Sequence, residues 1–533
     1  MAARRLFIFP IFLVSLALAA RILPATVHFV VGTDEAAYLT LAQNLAAGRG
    51  FTLDGVRPHT EFDPGYPLAA SLVYRLGGGL ELPAQINLVF GGLIVVPVYL
   101  LAREWYGEHT ALRAALMTAL LPALVLGVPN FGASSEQLYG ACVWWGLFAL
   151  WRGLETTNPG WFGLAGLAFG WAHLTRWEGA VYLFVGAGWA GWSLWRWPNR
   201  GRAVVGLIAF SLSFAIIAVP YGLYLQRAQG TWFSSKGTTQ QIQGEAVATD
   251  DPLAWERTYD AYEQARDKPS VPGEWAAHLW ADREAELRLY LRNWWKQILL
   301  PFRSFSFLAW LWVPFIPIAW VKRRREPGAA RRLTYLLTAL APLALFPVAF
   351  VDPRYLLPFL PVGLMWAADS LLAVDDWLTA NYLRRLAAFK GHALIGLLAL
   401  AFCMADVTGT FLVPAPLEYK ALGEWMTTHH VGQGEGVMAR KRQVPFYAHA
   451  RWEWLPLANT EGMLDYAASH RAQYVVIDER TVPALRPELA YLLDARAAPT
   501  VFIRLFRESA YYLCATNCPC HTWVLSTPIS RRA

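Results

Sequence analysis

The chain has 533 residues, of which 56% are apolar and only 16% charged, with a mean hydropathy of +0.30. Soluble domains carry about 25% charged residues, so much of this chain meets lipid rather than water. Its 26 Trp, 22 Tyr and 28 Phe exclude a disordered chain, and its net charge of +7 implies no nucleic-acid partner, because most cations sit in short clusters between apolar runs.

A membrane helix needs about 20 mostly apolar residues. Eleven such runs lie near 6–27, 81–102, 109–128, 138–154, 161–175, 179–197, 203–226, 301–321, 332–351, 354–374 and 392–411. They predict a polytopic α-helical membrane protein of about 11 transmembrane helices over residues 1–410. Arg4-Arg5, an apolar stretch and Ala17-Leu18-Ala19 also resemble a cleavable signal peptide, whose removal leaves the downstream topology unchanged.

Basic residues set the orientation. With a cytoplasmic N-terminus, Arg4, Arg5, Arg103, Arg113, Arg152, Arg196, Arg200, Arg202, Lys322, Arg323, Arg324, Arg325, Arg331, Arg332, Arg384, Arg385 and Lys390 lie inside, against Arg21, Arg49, Arg57, Arg75, Arg176 and Arg354 outside, seventeen to six. An odd number of spans then puts the C-terminal part outside the cytoplasm, and the location is the cell (inner or plasma) membrane.

Three polar regions face outward. In residues 28–80, Thr33 reads as an N-cap for a helix carrying Tyr38, Leu41 and Leu45 on one face, which Gly48-Arg49-Gly50 ends. Residues 227–300 form the second loop. Residues 411–533 read as a small extracytoplasmic α/β domain, with short strands at Gly436–Ala439 and Tyr474–Ile477 and a helix over Gly462–His470. Near its end Cys514, Cys518 and Cys520 could pair in an oxidising compartment, or join His521 in a metal knuckle.

Asp34-Glu35 stands just beyond the first span, and the same loop ends in His59-Thr60-Glu61-Phe62-Asp63-Pro64-Gly65-Tyr66-Pro67. Acids in a first helical turn favour the macrodipole whatever else they do. Carboxylates at both ends of one outward loop can also converge above the membrane surface.

The strings Thr33-Asp34-Glu35-Ala36-Ala37-Tyr38-Leu39, Asn44 to Thr52 and Asp63-Pro64-Gly65-Tyr66-Pro67 resemble the first extracytoplasmic loop of the multi-span GT-C glycosyltransferases. Within these the chain looks most like the branch of protein O-mannosyltransferases and lipid A aminoarabinose transferases. The resemblance continues through Ser134-Ser135-Glu136, His173 to Gly179 and Arg354-Tyr355-Leu356-Leu357-Pro358. It departs from the family pattern at Asp63, where many relatives show Pro-Pro-Gly or Arg-Pro-Pro-Gly, and at Trp177, where Pro is common.

The resemblance implies inverting transfer of a sugar from a polyprenyl-phosphate carrier to a lipid, glycan or protein acceptor outside the cytoplasm. Asp34 matches the family's catalytic acid, and Glu35 is the next candidate. A carboxylate can take the acceptor's proton, while cations must meet the charge gathering on the leaving phosphate. Arg354 and Arg176 are the outward candidates for that phosphate, with Arg21 third; Glu136, Tyr38 and Glu61 complete the expected substrate contacts. No cofactor is certain, but a divalent metal is compatible with the family, and Asp34, His59, Glu61 and Asp63 are its candidate ligands. A transporter or flippase for lipid-linked sugars would need intramembrane charges and internal repeats, of which only Arg21 is a sign. A non-catalytic scaffold is the remaining alternative, and the Asp34-Glu35 loop argues against it.

Overall fold

A computed structural model describes residues 2–27, 30–125, 134–232, 234, 253–264, 283–304, 321, 323–348, 351–381, 417–479, 481–493, 503–508 and 511–515. Most apolar runs fold as helices within one compact unit, Met1–Thr258 with Ala265–Ala415. In chain order the helices before residue 417 are α1 (Ala2–Val27), α2 (Thr33–Ala46), α3 (Gly65–Arg75), α4 (Leu82–Leu93), α5 (Val95–Tyr106), α6 (Glu108–Leu120), α7 (Ser134–Thr156), α8 (Pro159–Thr175), α9 (Val181–Arg196), α10 (Arg200–Gln229), α11 (Ala254–Gln264), α12 (Arg283–Ser304), α13 (Ala329–Ala339) and α14 (Leu360–Asn381). Among the described residues three helices are long and apolar enough to cross a membrane, Leu82–Tyr106, Arg200–Gln229 and Pro353–Ala373. The run at 392–411 and most of 301–321 lie outside the described residues.

The core of this unit is aromatic. Trp105, Trp144, Trp151, Phe162, Phe169, Tyr182, Phe210 and Tyr335 are buried together. Trp105 meets Trp151 edge-on with centroids 4.9 Å apart, and the Trp144 indole N–H donates to the Pro358 carbonyl at 2.9 Å. Such rings supply large buried area in preferred edge-to-face pairs, so much of the tryptophan in this region serves packing. Helix α8 lies between α7 and α10, and Gly166 lets it approach closely: a Cβ there would stand 2.2 Å from the Phe210 carbonyl oxygen. Of the charged residues inside this unit, Asp369 on α14 is fully buried and held by two adjacent nitrogens of the Arg323 fork, at 3.0 Å from Nε and 2.6 Å from NH2.

Tyr259–Gln264 and Pro416–Ala533 form a second compact unit. It contains α15 (Leu417–Thr428), β1 (Gly436–Ala439), α16 (Gln443–Tyr447), β2 (Arg451–Trp454), α17 (Thr460–His470), β3 (Ala472–Asp478), β4 (Ile503–Glu508) and β5 (Tyr511–Ala515). The sheet order is β2-β1-β3-β5-β4; β1 runs parallel to β2 and β3, and β5 pairs antiparallel with β3 and β4. Successive residues of a strand point to opposite faces. Val437 and Ala439 therefore pack with Leu422 and Met426 of α15, while Met438 packs with Met463 and Ala467 of α17. Helices on both faces explain why β1 reads as an unbroken apolar run rather than an alternating one. Cys518, Cys520 and His521 lie outside the described residues.

Candidate active site

Four segments of the first unit meet at one place: the start of α2, the start of α7, the turn after α8, and the 3-10 helix Pro353–Phe359. The expected Thr33 cap is corrected by the structure. Gly32 is the N-cap residue, in extended backbone, and Thr33 is already helical. Glu35 then reaches back so that its Oε2 accepts from the Gly32 N–H at 3.4 Å, the half of a capping box that needs no capping hydroxyl. Its Oε1 accepts from the buried Tyr66 hydroxyl at 3.4 Å. Glu35 is thus turned inward, 1% exposed, whereas the neighbouring Asp34 side chain is 42% exposed.

Asp34 meets Arg354. Arg354 NH1 donates to Asp34 Oδ2 at 2.8 Å across 320 residues of sequence. Arg354 owes its position to Asp352, whose Oδ1 accepts from the Arg354 N–H at 2.9 Å and caps the 3-10 helix that Pro353 opens. Burial pushes the Asp352 carboxyl above its usual range, and the neighbouring guanidinium pulls it back. The Arg354 Nε is buried, 3.9 Å from Glu136 Oε1 and 3.8 Å from Asp352 Oδ1.

The second arginine is held differently. Arg176 sits in extended backbone (φ −150°, ψ 132°) between α8 and the 3-10 turn Trp177–Ala180, and it is almost fully buried. Its NH1 lies 2.5 Å from Glu136 Oε1 and its NH2 2.9 Å from Glu178 Oε1. Both guanidinium groups lie over the Tyr355 ring, Arg176 at 4.7 Å and Arg354 at 5.4 Å from its centroid. Glu178 and Tyr355 were missed as site residues in the sequence, although each stands beside an expected arginine in a motif string.

The first loop is tied to this turn by the two departures from the family pattern. Asp63 Oδ2 accepts from the Trp177 backbone N–H at 3.0 Å, and Oδ1 accepts from the Tyr221 hydroxyl at 3.2 Å. A proline at 177 has no N–H to donate. Asp63 and Trp177 are therefore one matched pair, an acceptor beside a donor. Gly65 completes the junction, because a Cβ there would stand 2.5 Å from the Thr175 hydroxyl and 2.7 Å from the Leu174 carbonyl carbon.

The remaining expected residues lie elsewhere. Tyr38 is buried, its ring 4.9 Å from Phe62 and 5.5 Å from Tyr66. Glu61 is half-buried in the coil before α3. Arg21 is buried beneath the carboxyl end of α6, donating to the carbonyls of Ala119 at 2.9 Å and Thr118 at 3.4 Å, which a helix end leaves without intrahelical partners. The four candidate metal ligands are not gathered. Asp63 is engaged as above, His59 Nε2 accepts from the Phe62 N–H at 2.9 Å, and among the described residues no group of three or more His, Cys, Asp or Glu is arranged to hold a metal ion. The residues present do not fit a bound metal, and no step below is routed through one.

Residues 58–221 match the family model of dolichyl-phosphate-mannose-protein mannosyltransferases. That stretch includes His59, Glu61, Asp63, Glu136, Arg176 and Glu178; Asp34 and Arg354 lie outside it. No curated protein sequence matches the chain. Among solved structures, the chain is similar to the Archaeoglobus fulgidus oligosaccharyltransferase in the apo form, at 14% identity and TM-score 0.59, covering 93% of this chain and 72% of that one. It is also similar to AglB from the same organism in complex with an inhibitory peptide and a dolichol-phosphate, at 15% identity and TM-score 0.56, covering 92% and 71%. A third is ArnT from Cupriavidus metallidurans bound to undecaprenyl phosphate, at 14% identity and TM-score 0.55, covering 96% and 98%. The chain shares the fold of these solved transferases, and its residues 58–221 carry the match to the mannosyltransferase family model.

Proposed function

We propose that the chain is an inverting glycosyltransferase that moves a sugar from a polyprenyl-phosphate donor to an acceptor at the outer face of the membrane. The observation that carries this reading is the pairing of Asp34 with Arg354, a carboxylate and a fork donor on separate segments brought into one partly exposed place. The relatives' structures with dolichol-phosphate and undecaprenyl phosphate support a lipid-phosphate donor.

Each residue has a chemical task. Asp34 takes the proton of the acceptor hydroxyl as its oxygen attacks the anomeric carbon. The bond from that carbon to the phosphate oxygen breaks, and the carrier leaves as a phosphate monoester with the bonding electrons. A phosphate needs no general acid to leave, but it needs its gathering charge met, which Arg354 does through its fork. Arg176, fixed by Glu136 and Glu178, holds the wall against which Tyr355 and Arg354 rest. Glu35 sets the start of α2 and so aims Asp34.

The test is release of carrier. Purified chain given a polyprenyl-phosphate-linked sugar and cell-envelope acceptors is expected to release polyprenyl phosphate and glycosylate an acceptor, identified by mass spectrometry against envelopes from a deletion strain. No release with any envelope fraction overturns the reading. The same reading sets the topology: the N-terminus is cytoplasmic and the C-terminal domain extracytoplasmic. A reporter active only in the cytoplasm, fused after Ala533, is expected to be silent, and activity there would mean a span count wrong by one.

A further inference from the structure

If Arg354 holds the donor phosphate, as the proposed function requires, its guanidinium already faces carboxylates on both edges. NH1 is 2.8 Å from Asp34 Oδ2, and Nε is 3.9 Å from Glu136 Oε1 and 3.8 Å from Asp352 Oδ1. A bidentate phosphate contact uses two adjacent N–H groups of the fork, and one that includes NH1 must displace Asp34, whereas Glu136 and Asp352 stand beyond hydrogen-bond distance of Nε. How each carboxylate is held decides which yields. Glu136 is buried and its Oε1 is also claimed by Arg176 at 2.5 Å. Asp352 Oδ1 is committed to the cap of the 3-10 helix. Asp34 is the most exposed of the three, at 42% for its side chain, and water can take over its solvation when the ion pair opens.

We propose that Asp34 and the carrier phosphate exchange for one guanidinium: seating of the donor breaks the Asp34–Arg354 ion pair, so the base is released only when the phosphate is in place. While paired with Arg354, Asp34 has its Oδ2 engaged by NH1 and turned from the acceptor's proton. Exchange removes that donor and leaves the oxygen to meet the acceptor hydroxyl beside the seated sugar. The chemical step then completes the transfer of Arg354. As the acceptor O–H bond breaks, its proton neutralises Asp34; as the carbon–phosphate-oxygen bond breaks, the phosphate gains a charge. The guanidinium thus loses one competitor and gains a stronger partner in the same step. Once Asp34 gives up its proton it again competes for Arg354, which favours departure of the spent carrier. The arrangement also restrains the base from attacking or activating water while no donor is bound.

The test uses undecaprenyl phosphate as the probe, titrated by calorimetry into the full chain in detergent. Asp34→Asn removes the competing charge and is expected to bind the lipid phosphate roughly threefold to tenfold more tightly than the parent chain, the factor set by one half-exposed ion pair. Asp54→Asn removes a charge of the same loop that is paired with Arg57, and it is expected to change the affinity by less than about twofold. Arg354→Ala is expected to lose the binding. Unchanged affinity in Asp34→Asn, or an equal gain in Asp54→Asn, overturns the exchange while leaving the phosphate site in place. Undiminished binding by Arg354→Ala overturns the assignment of the phosphate itself, and the exchange with it.

Discussion

Arg176 and Arg354 lie over the same tyrosine ring and share Glu136, yet their surroundings differ in kind. Arg176 is sealed between two buried carboxylates, whereas Arg354 holds a half-exposed one at the rim. A buried ion pair is costly to separate because neither partner can be re-solvated. A rim pair opens at little cost, because water replaces the lost partner. Residue type and charge are identical, and burial separates the two; on the proposed function it leaves one arginine to the wall of the site and the other to its chemistry.

The largest effect that tests this division is at the rim. Asp34→Asn is expected to lower transfer by about 10²- to 10⁴-fold, the usual worth of a positioned general base. The thermal midpoint should hardly move, because Glu35 rather than Asp34 reaches back to the helix start. A substantially destabilised Asp34→Asn with normal turnover per folded molecule would reverse the roles of the two regions.

Next is the sealed pair. Arg176→Gln leaves Glu136 and Glu178 buried without their cation and should cost about 3–5 kcal/mol of stability, read by thermal or denaturant unfolding in detergent. By contrast Arg354→Ala should leave stability nearly intact and lower transfer by roughly 30- to 1,000-fold, about 2–4 kcal/mol of transition-state stabilisation. Arg354→Lys keeps the charge but not the fork and should fall between the two. If Arg176→Gln lost activity without stability, burial would not be the deciding property.

How much of this could be read from the chain follows from the range of each interaction. Local signals sufficed for most helices and for β1, and they named Asp34, Arg176, Glu136 and Arg354 as candidates, because apolar runs and motif strings are contiguous in sequence. Partner choice was not legible. Nothing local says that the Arg354 guanidinium reaches Asp34, 320 residues away, or that Arg21 ends beneath the carbonyls of α6. The metal expectation rested on residue chemistry alone: His59 and Asp63 have ligand atoms, and in the fold these accept from the backbone N–H groups of Phe62 and Trp177. Asp63 and Trp177 looked like two unrelated departures until the fold put them 3.0 Å apart.

That junction gives a smaller, third kind of effect. Arg176 already has the extended backbone that a following proline demands, so Trp177→Pro removes the N–H with little backbone strain. It should cost more stability when Asp63 is present than in an Asp63→Ala background, with a coupling of about 1–2 kcal/mol in the cycle of unfolding energies. Zero coupling would mean that the first loop does not steady the Arg176 turn through this bond.

The smallest expected effect bears on the residue the two regions share. Tyr355→Leu removes both cation–π contacts and keeps an apolar side chain; such contacts are worth about 0.5–1 kcal/mol each when exposed and about 2 when desolvated. The two losses should appear in different measurements. The contact with sealed Arg176 should register as stability, and the contact with Arg354 as a severalfold weaker donor affinity. Tyr355→Phe keeps the ring and should keep most of both. The separation can be checked by double mutants, since a contact already lost cannot be lost twice. In an Arg354→Ala background the effect of Tyr355→Leu on transfer should vanish while its effect on unfolding persists. If both effects persisted there, the ring would act on activity through Arg176, and the wall and the chemistry of the site would be one mechanical unit rather than two.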